Sequence, residues 1–398
     1  MMKIAVVGSG ISGLGTSYYL GKRHYVDLYE SDTRIGGHTH THKIQLEKEI
    51  NVDSGFIVFN DLNYPNLIQF FNELGVETAD TDMSFSVSSK TSTWSSNEFK
   101  KLSTFFKPAK LNFLKNIIKF NHAAKQNIAG ISFKEWLANK NLKKEFINDY
   151  VLPMAAAIWS TPMDKIGEYP VESMLAFLKN HGLLKLINRP QWHFVKNGSA
   201  SYIDAIIQTS NINNVFTGES PIINKSNQLW RLKTSNHELD YDHVVIATHI
   251  NDVPKLLANY EDFSFMSDFS YNTNKTILHT DENFMPVRKK LWSSWNSFKY
   301  DDYEYVTYWM NNLQNIKSKT NLFVTIGNFP EIQTQNILKV MQYEHPLFDF
   351  TSQEVKDKVS ELQGLDNLYF TGAYQGYGFH EDGLASALNV VRMIDHAI

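Results

Sequence analysis

Gly8, Ser9, Gly10, Ser12 and Gly13 fall within six residues in the pattern GxGxxG, and Glu30 stands further on. This set of residue types suits a nucleotide pyrophosphate. Gly8 permits a tight turn, Gly10 lets a phosphate approach the backbone, and Gly13 lets a helix pack closely on a strand. An acid about 20 residues past such a turn accepts hydrogen bonds from both ribose hydroxyls and repels a 2′-phosphate, which disfavours NADP. A lone GxGxxG carries little weight, so the flanking elements decide. Lys3 to Val7 is an apolar, β-branched run suited to a strand buried on both faces. Leu14 to Leu20 reads as a helix, and Tyr25 to Tyr29 as a second strand ending on Glu30. The helix would aim its free N–H groups and positive dipole end at the phosphates. Dinucleotide binding is therefore expected.

A second group of residues follows at once. Asp32 to Thr39 contains Arg34, Gly36, Gly37, His38 and Thr39 in the pattern RxGGxT, and Val52 to Phe56 reads VDSGF. Here the chain resembles the flavin-containing amine oxidase superfamily, which includes carotenoid desaturases and protoporphyrinogen oxidases. The resemblance implies FAD, with Arg34 and the glycine amides closing over its pyrophosphate and with Gly55 and Phe56 beneath the flavin ring. His38 departs from the pattern, which usually has a second arginine, and we expect it to contact phosphate. The resemblance also places a backbone contact to adenine at Ile222 and brings Ala247-Thr248 beside the cofactor. Near the end of the chain, Gly372 closes an apolar strand, and Glu381, Asp382, Gly383 and Leu384 open a helical tail. Amides at that helix start would stabilise negative charge on the flavin. Ala373 stands where many members carry an acid.

Candidates for chemistry are few, because a flavin takes hydride itself and leaves orientation and electrostatics to the protein. By the resemblance, Lys275 occupies the place of a lysine that binds a water near the flavin. The plain alternative is an exposed lysine on a strand. Tyr374 or Tyr377 could supply one side of an aromatic pair around an amine, or could simply pack. His380, with Glu381, could accept a proton, although Glu381 could equally serve a helix N-terminus. His38, His40 and His42 alternate on a strand-like stretch, but no metal site is expected there.

The elements that must position these residues are spread along the chain. The resemblance implies an α/β fold: a Rossmann-like FAD-binding domain of the GR2 type with an inserted α+β substrate domain of the amine oxidase type. The cofactor domain would be discontinuous, comprising 1–75, 190–250 and 346–398, and the substrate domain would comprise 76–189 and 251–345. Within the latter, residues 99–125 carry seven lysines and no acid, with Leu111, Leu114, Ile117 and Ile118 at helical spacing. This basic amphipathic helix could rest on anionic lipid at the inner membrane face, or could be a substrate-domain helix whose lysines are solvated.

Composition narrows the classes. The chain has 398 residues, 42% apolar content and a net charge of −4, so nothing points to nucleic acid. Cysteine is absent, which excludes disulfides, thiolate metal sites and a flavin linked through sulfur. The chain reads as cytoplasmic, since it shows no leader pattern and no apolar run of about 20 residues. The strings DSGFIVFN, LPMAAAIWS, RPQW, YEHPLF and GAYQGYGFHEDG are similar to a bacterial group of NAD/FAD-binding proteins. That group accompanies enzymes similar to cyclopropane-fatty-acyl-phospholipid synthase. The expected function is FAD-dependent oxidation of an apolar substrate, with a fatty-acyl chain as the leading candidate and a lipid methyltransferase as partner. Two alternatives stand beside it: a flavin amine oxidase releasing imine and peroxide, and a non-catalytic escort protein of the same fold.

Overall fold

The computed structural model describes residues 1–100, 108–126, 128–185, 189–257 and 259–396. Its first part is a five-stranded parallel sheet. Lys3–Val7 lies at the centre, paired on one side with Tyr25–Glu30 and on the other with His243–Ile246. Ile212–Thr217 and Leu368–Phe370 form the edges. Ile4, Ala5 and Val6 are fully buried, as a strand covered on both faces requires. The strands arrive from three distant stretches of chain, and within the second an antiparallel meander of Ile222–Ser226, Leu229–Lys233 and Glu238–Tyr241 connects Ile212–Thr217 to His243–Ile246.

Small residues set the spacing of the layer above this sheet. Helix Ile11–Gly21 follows the glycine turn directly. A Cβ on Gly13 would lie 1.8 Å from the Gly8 carbonyl oxygen, and one on Gly15 would lie 2.7 Å from Leu384 Cδ1. Glycine at these places lets the helix seat on the strand and lets the last helix, His380–His396, pack beside it. A third helix, Pro65–Leu74, buries Leu67, Phe70 and Phe71. Both Glu381 carboxylate oxygens receive its first N–H groups, from Asn66 (3.1 Å) and Leu67 (2.9 Å).

The second part of the molecule is a mixed seven-stranded sheet. It draws Phe85–Ser89 and Thr93–Ser95 from one stretch and five strands from Tyr271–His279 through Ile337–Pro346 from another. Helices between residues 108 and 180 close over it with an aromatic core that includes Phe120, Phe133, Trp136 and Phe177. Helix Pro108–Ala123 takes the later part of the basic stretch noted above, with Lys110, Lys115 and Lys119; Lys101 and Lys107 lie outside the described residues. Ile117 and Phe120 are buried, whereas Leu111 is 41% and Ile118 55% exposed, so the apolar stripe is only partly used. Lys110 pairs with Glu98 at 2.8 Å, and Lys119 donates to the Asn141 carbonyl.

One carboxylate ties the two parts together. Asp53 is fully buried and accepts from Thr41 Oγ1 (2.5 Å), Ser199 N (3.0 Å), Ser199 Oγ (2.8 Å) and Gln314 Nε2 (2.7 Å). Gln314 returns the contact by accepting from Asp53 N at 2.9 Å. Among the described residues, no helix is long and apolar enough to cross a membrane.

The glycine geometry is directly testable. In Gly13→Ala the new Cβ meets backbone that must move, so the variant should lose about 1–3 kcal/mol of stability. Gly10→Ala should fold normally, because a Cβ there meets nothing within 4 Å and the residue has φ −64°. Denaturant melts of the two variants check this, and equal midpoints would refute the packing account.

Candidate functional site

The nucleotide end of the site is built from backbone. Helix Ile11–Gly21 has no side-chain cap and no acid in its first turn, so its leading N–H groups have no anion of their own. The space beside Gly10 is open, and Gly37, at φ +55°, closes its far side, since a Cβ on Gly37 would lie 3.0 Å from Gly10 Cα. Gly36, at φ +116°, donates to the Ser9 carbonyl (3.1 Å) and to Ser9 Oγ (3.0 Å). Glu30 accepts from Ser9 N at 3.0 Å and from Asp32 N at 2.9 Å, which holds its carboxylate at the mouth of the glycine turn. Arg34 sits differently from expectation. Its guanidinium donates to the carbonyls of Gly37 and Thr39, each at 2.8 Å, so it staples the glycine loop shut.

Beyond this end lies a cavity of about 950 Å³. One wall is the close pairing of His38 with the segment at Gly55. A Cβ on Gly55 would lie 1.9 Å from the His38 carbonyl oxygen, which in turn accepts from Phe56 N at 2.9 Å. The His380 ring stacks on Phe56 with centroids 3.7 Å apart. His380 Nε2 hydrogen-bonds Thr39 Oγ1 at 3.0 Å and lies 3.3 Å from the Tyr202 hydroxyl. The other walls carry Trp159, Trp295 and Tyr308 from the second part of the molecule and Phe379 from the loop before the last helix.

A histidine held in one tautomer also lines the cavity. Asn274 Nδ2 donates to the Ser160 carbonyl at 2.7 Å, while Asn274 Oδ1 accepts from Asn272 at 3.0 Å, which fixes the amide's orientation. The same Nδ2 meets His345 Nδ1 at 2.9 Å. Nδ1 must therefore accept, and the His345 proton sits on Nε2. Sequence reasoning missed this pair and the wall residues Trp159, Tyr343 and Phe379, since no spacing rule connects them.

Several expected residues stand elsewhere. Lys275 is exposed, its Nζ 5.6 Å from the Phe329 ring centroid. It occupies the outer face of its strand, and its neighbour Asn274 points inward. Tyr374 is buried in the core against Phe269, and the Tyr377 carbonyl accepts from Trp159 Nε1; neither ring lines the cavity. Aromatic pairs do line the cavity, among them Trp159 with Phe379 (centroids 6.1 Å apart) and Trp295 with Tyr308 (4.8 Å). Glu381 is committed to the helix Pro65–Leu74, and Leu384 is buried against Gly15. Asp382 accepts from Phe379 N at 2.9 Å, shaping the loop before the last helix. Gly383 lets the two helix starts approach, since a Cβ there would lie 2.8 Å from Ser12 Oγ. Gly372 N donates to Ser386 Oγ at 3.0 Å, which holds the strand end against the last helix. Ile222 begins the meander with its side chain half exposed. Among the described residues, no group of three or more His, Asp or Glu is placed to hold a metal ion.

Residues 6–74 match the NAD(P)-binding Rossmann-like domain family. No characterised sequence matches the chain. Solved structures are similar over the whole length. A protein assigned as a protoporphyrinogen oxidase from Exiguobacterium sp. 255-15 superposes with a TM-score of 0.74 at 13% identity, covering 100% of this chain and 99% of that one. Putrescine oxidase bound to putrescine superposes at 0.72 with 13% identity, covering 99% of both chains. A CLA-producing fatty acid isomerase from P. acnes superposes at 0.68 with 12% identity, covering 98% of both. At such identities the likeness establishes the fold alone, one that this chain shares with those structures and that has a Rossmann-like domain at its start.

The cavity histidines are neutral. Burial, followed by the His249 charge, pushes His38 down to about 4. Burial, followed by His38, pushes both His345 and His380 down to about 3. His38, packed 5.4 Å from both Tyr343 and His345, therefore offers no cation to a phosphate. Each of these groups takes up protons more readily when unfolded, so its stabilisation is complete above about pH 6.5 and is lost as pH falls toward 4. Asp53 and Asp382, both raised by burial to about 6, act in the opposite sense over part of this range. Burial also holds His40, His42, His181 and His279 at about 4, so the histidines dominate. Urea midpoints of the apoprotein should fall between pH 7.5 and pH 5. A midpoint that rises over that interval would contradict the assignment.

Proposed function

We propose that the chain is an FAD-dependent oxidoreductase that removes hydride from an apolar substrate. The observation that carries this reading is the joining of two features: an uncapped helix N-terminus with open space at Gly10, and an aromatic-walled cavity. The first accepts a pyrophosphate. The second has the size and lining of a small-molecule site. The residues present fit the cofactor. Gly8, Ser9, Gly10, Ser12 and Gly13 with Gly36 and Gly37 would hold its phosphates, Glu30 its ribose and the strand end at Ile222 its adenine. Gly55, Phe56, Thr39 and the segment from Gly372 to Gly383 would hold its flavin. Bound FAD would supply the hydride acceptor.

The chain's own residues do the rest. The aromatic walls exclude water and orient an apolar substrate. His345 offers its Nε2 proton to the cavity as a neutral donor, held in that tautomer by Asn274, and His38 and His380 add no charge. On this reading 1–75, 190–250 and 346–398 form the cofactor domain, and 76–189 with 251–345 form the substrate domain. The origins of the parallel and mixed sheets support that division. A fatty-acyl chain is the leading substrate, and the likeness to the fatty acid isomerase supports it. The resemblance to the group found beside cyclopropane-fatty-acyl-phospholipid synthase-like enzymes adds a lipid methyltransferase as partner. The second reading is amine oxidation, which the likeness to putrescine oxidase and the pairing of Trp159 with Phe379 favour. An escort role would leave the uncapped helix and open glycine turn without use.

The purified protein should be yellow or become so with FAD, and Gly10→Ala should fold yet lose the flavin. A colourless protein that takes up no FAD would end this reading. With oxygen excluded, acyl lipids should bleach the flavin and amines should not. Bleaching by amines alone, with peroxide formed on readmitting air, would establish the second reading instead.

Helix Pro108–Ala123 supports a further part of the proposal, contact with a membrane surface. Leu111 and Ile118 are exposed on a helix whose Lys115 is exposed too. The protein should sediment with anionic vesicles at low salt and release at high salt. No sedimentation at low salt would remove the membrane from the account.

A further inference from the structure

We propose that Arg189 and Tyr150 form a receptor for a single carboxylate, the head group of a long-chain acid whose tail fills the cavity. The inference deepens the flavoenzyme reading and rests on it only for the fate of the tail. The cavity is lined mainly by aromatic and aliphatic side chains, and among the described residues that line it Arg189 is the one permanent cation. The histidines there are neutral, and Asp82 is tied to Ser84 N at 2.8 Å and to Ser294 Oγ at 3.1 Å.

Arg189 is exposed, which places it at the rim, and among the described residues it has no acid partner. Its Nε donates to the Lys185 carbonyl at 2.9 Å. That bond helps fix the guanidinium plane, and the terminal N–H groups are left for the Tyr150 hydroxyl and a ligand. The Tyr150 hydroxyl lies beside it; burial raises this phenol and the Arg189 charge and hydrogen bond lower it. The Tyr150 ring is wedged among Trp94 (5.5 Å), Phe113 (5.4 Å) and Phe146 (5.1 Å), so the direction of its hydroxyl is set by packing. None of these three rings belongs to the His38, Phe56 and His380 wall. The receptor and the cofactor wall therefore occupy separate regions of one cavity.

The chemistry selects the ligand. A guanidinium fork matches the two oxygens of a carboxylate, and a phenol adds one more donor. A cationic head group would be repelled. A phosphate dianion would find one cation and one hydroxyl where its charge asks for more. An apolar chain attached to the carboxylate would then run down the aromatic wall.

The test uses the intact protein with its flavin. Trp94, Trp159, Trp192 and Trp295 line the cavity, so ligand binding can be read from tryptophan fluorescence. Oleate should bind roughly tenfold or more tightly than methyl oleate or oleylamine, as a charge-assisted hydrogen bond provides. Arg189→Gln should abolish that preference and leave methyl oleate unchanged. Tyr150→Phe should reduce the preference to a smaller extent. Unaltered oleate binding in Arg189→Gln would overturn the proposal, as would a lysophospholipid bound more tightly than oleate in an Arg189-dependent manner. The readout requires no hydride transfer. A preparation without flavin colour would therefore count against the function proposed above, while the fluorescence titration would still decide this one.

Discussion

A buried carboxylate, Asp53, holds three distant stretches of the chain against one another. Thr41 belongs to the hairpin after the glycine loop, Ser199 begins the helix Ala200–Thr209, and Gln314 comes from the second part of the molecule. Taking a carboxylate out of water costs several kcal/mol unless its lone pairs are filled. Here they are filled from every side, so the geometry of the three stretches is mutually determined. The constraint matters for chemistry because Gly55 and Phe56 stand only two and three residues after Asp53. Their fit against the His38 backbone, and through Phe56 the stack with His380, depends on where Asp53 is anchored. Burial raises this carboxyl to about 6, a sign that hydrogen bonds only partly offset its desolvation. What the arrangement gains is a defined junction between the sheet beneath the nucleotide and the sheet over the cavity.

The two ends of the site obey different physics. At the nucleotide end, positive φ at Gly8 and Gly36 and absent side chains at Gly10 and Gly13 create a cradle of N–H groups. Arg34 donates to the carbonyls of Thr39 and Gly37 and so keeps the cradle in shape. At the cavity end, side chains from many elements make an apolar volume in which each polar group is oriented by a neighbour. Asn274 orients His345, and Thr39 with Tyr202 orients His380. Neutral histidines suit that environment, because a charged ring would have to be buried without a counter-ion.

This difference explains how far the sequence could be read. The glycine turn, the first strands and the parallel sheet's ends at Glu30 and Gly372 were legible, since backbone requirements leave a local trace in residue type. The FAD resemblance extended that reading to Gly55 and to the last helix. The cavity was not legible, since its walls bring together residues such as Phe56, Trp159 and Tyr343 from stretches far apart in sequence. Tyr374 and Tyr377 illustrate the limit. Both sit in a loop next to the site, and only the packing of Tyr374 on Phe269 and of Tyr377 on Phe177 shows where their rings go. Glu381 is similar: an acid at the start of one helix turned out to cap another.

Lys275 and Asn274 show the same limit at its sharpest. Side chains on a strand alternate between faces, so an alignment off by one residue exchanges the inward group for the outward one. Composition cannot resolve this, because Tyr271–His279 alternates polar and apolar residues only in part. Pairing decides it: Asn274 opposes Tyr343, and Lys275 opposes Gln342, on the neighbouring strand. Tyr343 lines the cavity, and cross-strand partners share a face. Asn274 must therefore face the cavity side, and Lys275 must face away. The consequence reaches the chemistry. A lysine at this point would bring a titratable cation to the cofactor wall, whereas Asn274 brings a neutral amide that sets the proton position of His345. The site is thus uncharged where the cavity meets the cofactor wall, and among the described residues that line it the one fixed cation, Arg189, stands at the rim.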